Sequence, residues 1–152
     1  MGLFDAIGIA GSGLTAQRIR MDVTAENLAN ANTTKAANGK PYQRQQVVLS
    51  QVASGGFGNA LSGAIGQNPQ SAGTPPSGGV QVTGIVADAT PGQLVYDPGN
   101  PEANAQGYVQ MPNVSTVTEM TDLISEQQSY QSDVTAMQTA KSMFSATLGL
   151  LK

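Results

Sequence analysis

Apolar residues recur at helical spacing in two stretches, one at each end of the chain. From residue 3 to about 29 they fall at Ile7, Ala10, Leu14, Met21, Ala25 and Leu28, with Ile7, Leu14, Met21 and Leu28 seven apart. That period gathers side chains into a seam on one helix face. The seam is imperfect, because Gln17 and Arg18 stand where an apolar residue belongs. Gly8, Gly11 and Gly13 each cost a helix roughly 1 kcal/mol relative to Ala. The spacing predicts a first helix that is weak in isolation. Asn30-Ala31-Asn32-Thr33-Thr34 reads as its exit and Asn38-Gly39-Lys40-Pro41 as a turn.

The second stretch is more regular. After Pro112-Asn113, Thr116 stands three residues before Glu119, the spacing of a capping box in which two side chains satisfy free amides at a helix start. Met120, Leu123, Gln127, Tyr130, Val134, Met137, Lys141, Phe144, Leu148 and Leu151 then follow in steps of three and four. The predicted helix, 116–150, would run roughly 50 Å, too long to pack fully on a globule of this size. It calls for a partner beyond its own core.

Between the helices, short β-like segments are predicted at 42–52, 79–87, 93–96 and 107–111, separated by turn sequences such as Thr90-Pro91-Gly92 and Asp97-Pro98-Gly99-Asn100-Pro101. Residues 54–79 differ in kind, with eight Gly, four Ser and three Pro among 26 residues, and read as a flexible loop. The chain is thus expected to be α+β in three parts: an N-terminal helix in 1–32, a β-rich central region in 33–112 that carries the loop, and a C-terminal helix in 113–152.

Composition sharpens this picture. Leu, Ile, Val and Phe supply only 31 of 152 residues, so a lone chain has little with which to build a core. Cysteine, histidine and tryptophan are absent. Disulfides, thiol nucleophiles, Cys/His zinc sites and imidazole-based catalysis are therefore excluded. Net charge is −3, unevenly placed. Residues 1–44 hold five bases (Arg18, Arg20, Lys35, Lys40, Arg44) against three acids, while 45–140 hold seven acids and no base. The two regions are expected to attract each other or a neighbour. Nucleic acid is not an expected partner, since binding it rests on a basic patch. No stretch has the 18 or so apolar residues of a membrane span, and the start lacks the basic region of a secretory signal.

Candidate chemistry is sparse. Gly11-Ser12-Gly13-Leu14-Thr15-Ala16 fits the dinucleotide fingerprint, but the strand and acid required about 20 residues later are replaced by an Asn-rich turn. Close packing of a glycine-bearing helix is the better reading. Glu119, Asp122 and Glu126 share one helix face at i, i+3 and i+7. They read as a solvated face, or as one that meets Arg18 and Arg20 on the other helix, rather than as acid/base catalysts. No catalytic residue, metal site or cofactor is expected.

The residues around the first exit turn resemble a known family. Val23-Thr24-Ala25-Glu26-Asn27-Leu28-Ala29-Asn30-Ala31-Asn32-Thr33-Thr34 is similar to the N-terminal signature of bacterial flagellar rod, hook and hook-associated proteins, with Asn27, Leu28, Ala29, Asn30, Asn32 and Thr33 carrying the match. Met111-Pro112-Asn113-Val114, Gln128-Ser129-Tyr130-Gln131 and Thr139-Ala140-Lys141-Ser142-Met143 resemble the family's other end. Gly39-Lys40-Pro41-Tyr42 and Leu94-Val95-Tyr96-Asp97-Pro98-Gly99 point to its proximal-rod branch. Lys35 to Pro41, inserted before Tyr42, separate the chain from the distal-rod and hook branches.

The resemblance implies a structural subunit of the basal-body rod that transmits motor torque across the periplasm. It implies export through the flagellar type III apparatus without a cleaved signal peptide, and assembly with other copies and with other proximal- and distal-rod proteins. It also implies terminal helices paired as a coiled coil inside a tube. The expected assembly seam is Ile7, Leu14, Met21, Leu28, Met120, Leu123, Tyr130, Val134, Met137, Phe144, Leu148 and Leu151, with Arg18, Arg20, Glu119, Asp122 and Glu126 as inter-helix charge pairs. The rival reading is a helical adaptor that docks on a single partner through its C-terminal helix.

Overall fold

The computed structural model describes residues 3–36, 39–52 and 78–149. In chain order these form helix α1 (Leu3–Ala29), strands β1 (Gln45–Gln51), β2 (Val80–Ala87), β3 (Leu94–Tyr96) and β4 (Tyr108–Gln110), and helix α2 (Thr116–Gly149). The protein is α+β, two long helices and two two-stranded sheets, β1-β2 and β3-β4. The helices begin where periodicity places them and end within a residue of the predicted bounds. All four strands fall inside the predicted segments. The expected loop at 54–79 lies outside the described residues, apart from Gly78 and Gly79.

The start of α2 differs from the expected capping box. Ser115 is the N-cap: its hydroxyl oxygen accepts from the Thr118 amide at 3.4 Å and the Thr118 hydroxyl at 3.0 Å. Its carbonyl takes the Glu119 amide at 2.9 Å. The cap therefore sits one residue ahead of the Thr116–Glu119 box, and Glu119 is free to turn inward rather than back to the cap.

Residues divide into two compact units, one built from Arg18–Val48 and Gly84–Gln128, the other from the rest of the described chain. In the first unit, β3 and β4 pair antiparallel, with Leu94 opposite Gln110, Val95 opposite Val109 and Tyr96 opposite Tyr108. The Tyr96 and Tyr108 rings meet edge to face, centroids 5.2 Å apart. Gly107 (φ 80) closes the connection against the Tyr96 ring, where a Cβ would sit 2.9 Å from a ring carbon. At the other end, Gly92 lies so close to the Met111 carbonyl that a Cβ would fall 1.8 Å from its oxygen. The Asp88 amide donates to the Arg44 carbonyl at 2.7 Å, joining the flanks of β1 and β2.

In the second unit, the Val52 amide donates to the Gly79 carbonyl at 3.0 Å. Ser12 ties α1 to the start of β2: its hydroxyl donates to the Ile9 carbonyl at 2.7 Å and accepts from the Val80 amide at 3.1 Å. Gly11 and Gly13 face α2, where added Cβ atoms would meet Met137 at 3.7 Å and Asp133 at 3.0 Å. The dinucleotide-like string thus lies inside α1, its amides committed to the helix and its glycines to close packing.

Among the described residues, the buried apolar side chains are Ala16, Val23, Ala31 and Val109, together with Pro112. All are small or medium, so burial of bulk contributes little here. The largest fully buried side chains are instead Glu119 and Asn27.

Candidate functional site: a polar junction between the terminal helices

Asn27 sits in the last turn of α1, 1% exposed, with every hydrogen-bonding position of its side-chain amide used. Its Nδ2 donates to the Gln45 carbonyl at 2.9 Å and to Glu119 Oε2 at 3.0 Å. Its Oδ1 accepts from the Gln45 amide at 2.8 Å and the Tyr42 hydroxyl at 3.0 Å. One side chain therefore pins the start of β1 and the first turns of α2 to α1. Burial, with the nearby Glu26 and Glu119 carboxylates, pushes the Tyr42 phenol up, which keeps its hydroxyl a donor.

Glu119 is the second member. One oxygen takes the Asn27 amide, and the other takes Arg44 Nε directly. Arg44 Nη2 also reaches Asp122 Oδ2 at 3.2 Å. Asn113 holds the arginine's backbone, its Oδ1 accepting the Arg44 amide at 2.7 Å and its Nδ2 donating to the Asp88 carbonyl at 3.1 Å. One helical turn beyond Asp122, Glu126 accepts from Thr24 Oγ1 and Arg20 Nε, both at 3.3 Å. The junction surrounds a polar cleft of about 250 Å³.

Partners pair in opposite order along the two helices, Arg20 and Thr24 with Glu126, Asn27 with Glu119, so α1 and α2 run antiparallel through this unit. A buried ion pair adds little stability over an apolar pair but penalises any arrangement that leaves one charge alone. The junction is thus suited to fixing helix register. Among the described residues no group of three acidic side chains is placed to hold a metal ion, and no helix is long and apolar enough to cross a membrane.

Of the two readings of the acidic face, solvated or paired with bases, the structure shows the second, with the face turned inward. Glu119 and Glu126 are buried, while Val117, Met120 and Ile124 of the same helix are 74%, 54% and 57% exposed. The expected bases were Arg18 and Arg20. Arg20 does pair with Glu126, but Glu119 and Asp122 take Arg44, and Arg18 is exposed. Arg44, Gln45 and Asn113 were not singled out by spacing, because they act from the strands and turns rather than from a periodic face.

Of the signature residues, Asn27 is the junction and Asn30 shapes the helix exit, donating to the Glu26 carbonyl and accepting from Thr33 Oγ1. Leu28 is half-buried, and Ala29 and Asn32 are exposed. Along the expected seam, Ile7, Leu14, Met21, Leu123, Tyr130, Val134, Met137 and Phe144 are half-buried and Met120 faces outward, while Leu148's side chain and Leu151 lie outside the described residues.

Comparison with known proteins places this architecture. The family described as "Flagella basal body rod protein" matches residues 7–36, and that described as "Flagellar basal body rod FlgEFG protein C-terminal" matches 105–150. Both members of the Asn27–Glu119 pair lie within matched segments. The chain is 44% identical over 150 residues to the flagellar basal-body rod protein FlgC of Escherichia coli O6:H1, covering 99% of this chain and 98% of the relative. It is 43% identical to FlgC of Bacillus subtilis strain 168 over the full length of both, and 36% identical to that of Borreliella burgdorferi, covering 100% of this chain and 99% of the relative. The fold and these matches define a structural component of the bacterial flagellar rod. Within that class, the chain belongs to the family of flagellar basal-body rod protein FlgC.

Proposed function

We propose that this chain is a subunit of the proximal rod, exported by the flagellar type III apparatus and assembled with other copies and other rod proteins into a periplasmic shaft that transmits torque. Its role is mechanical rather than catalytic. The observation that carries the reading is the junction itself: the family signature at Asn27 is satisfied by Glu119 on the opposite terminal helix, inside a chain that matches rod proteins from end to end. A polar lock of fixed stoichiometry sets the helix pair, leaving Val117, Met120 and Ile124 on the outer face of α2. Half-buried seam residues such as Leu123 and Phe144 complete their burial against neighbouring subunits.

The test is complementation of a strain lacking the chain, with swimming and basal-body images as readouts. The wild-type chain is expected to restore both. Leu123→Asp and Phe144→Asp are expected to abolish rod assembly, because each would place a charge in a seam that assembly closes. Complete rods in the deletion strain would refute the function, and normal swimming of both variants would refute the seam.

A further inference from the structure

The junction carries three carboxylates, Glu119, Asp122 and Glu126, against two guanidiniums, Arg20 and Arg44. Arg44 is shared between Glu119 and Asp122. Glu126 is left with Arg20, whose side chain is 40% exposed and so divides its charge with solvent. The two contacts to Glu126 Oε1 are long for bonds to a charged oxygen. Glu126 Oε2 is buried and has no hydrogen-bond partner among the described residues, although the whole residue is only 4% exposed.

A carboxylate spreads its charge over both oxygens, so burying one without a donor is costly. The neutral acid lowers that cost and also balances the junction, two negative charges against two positive. We propose that Glu126 is a proton-binding site, held as the neutral acid in the assembled junction, so that proton uptake tightens the contact between α1 and α2.

The groups facing it pull in both directions. From α1, Arg20 and Thr24 favour the ionised form; on its own helix, Asp122 and Glu119 oppose it; Arg44, on the approach to β1, is already engaged. Burial outweighs the two favourable partners and pushes the Glu126 carboxyl above the ordinary glutamate value. A raised carboxyl contributes stability that is complete below its unfolded value and is lost as pH rises through the folded one. Glu126 thus opposes the usual trend in which buried carboxylates weaken a fold on acidification.

The experiment is a carbon-13 carboxyl titration of the full chain, with the Glu126 signal identified by its disappearance in Glu126→Gln, beside thermal unfolding of both proteins. Glu126 is expected to titrate above the ordinary glutamate value of about 4.3. Glu126→Gln is expected to match the wild type near about pH 4 and to melt several degrees higher near about pH 8, where only the wild type must take up a proton or bury a charge on folding. A Glu126 signal that titrates at or below the ordinary value overturns the proposal, as does a melting difference that is constant with pH. If the variant fails to fold, the wild-type titration still decides, with the signal assigned through its neighbouring backbone resonances.

Discussion

The two compact units bring α1 and α2 together by different means. In the unit containing Asn27, the helices meet through counted hydrogen bonds, each donor matched to an acceptor on Glu119, Glu126 or the approach to β1. In the other, they meet where side chains are missing, at Gly11 and Gly13 opposite Met137 and Asp133. A network of counted partners specifies one geometry, because every displacement strands a polar group. A small-residue contact specifies only how near two backbones come, and it leaves axial position to whatever packs around it. The same helix pair is therefore keyed in one unit and merely close in the other.

Removing a member of the key should show the largest effect. Glu119→Ala leaves Arg44 Nε and one Asn27 N–H without their acceptor, with Asp122 as the remaining partner of Arg44, and is expected to cost about 3 kcal/mol of unfolding free energy. Urea denaturation measures this, and a double-mutant cycle with Asn27→Ala should return a coupling of about 1–2 kcal/mol. Additive effects would show that the two side chains do not act together. Next comes Gly79→Ala, where φ is 117 and an added Cβ would sit 2.7 Å from Ser12 Oγ. It is expected to cost about 2 kcal/mol and to raise amide hydrogen exchange at Val80, while leaving Gln45 protected. The smallest change is Gly13→Ala. It adds helix propensity of about 1 kcal/mol, offset in part by moving a flexible Asp133 oxygen from 3.0 Å, for a net gain of about 0.5 kcal/mol. A loss of several kcal/mol there would mean that this contact is as exacting as the polar one.

Much of the backbone was legible from residue spacing. Steps of three and four gave both helices, and turn chemistry separated four strands, because these signals are local. The junction was not. Carboxylates at i, i+3 and i+7 fit a solvated face or one that meets Arg18 and Arg20 equally well, and the spacing does not announce Arg44, 75 residues before Glu119, as the partner that buries Glu119. The capping-box reading failed for a related reason: Ser115 competes for the cap one residue earlier, and a partner far along the chain claims Glu119. Asn27 stood out through family resemblance alone, since no periodicity marks an asparagine that serves three elements at once. The antiparallel register of β3 and β4, which places Val95 opposite Val109, is likewise set by a turn geometry that the Pro-Gly-Asn-Pro run announces without fixing.

The bond between Asn27 and Glu119 spans 92 positions of sequence. A polypeptide cut short anywhere before residue 119 would leave one Asn27 N–H without its acceptor, however well its leading helix and early strands had formed. Molecular completeness is thereby tested by the molecule itself: a truncated product of translation or proteolysis lacks the means to close its first helix, and so carries its defect openly to any site where only finished building blocks fit.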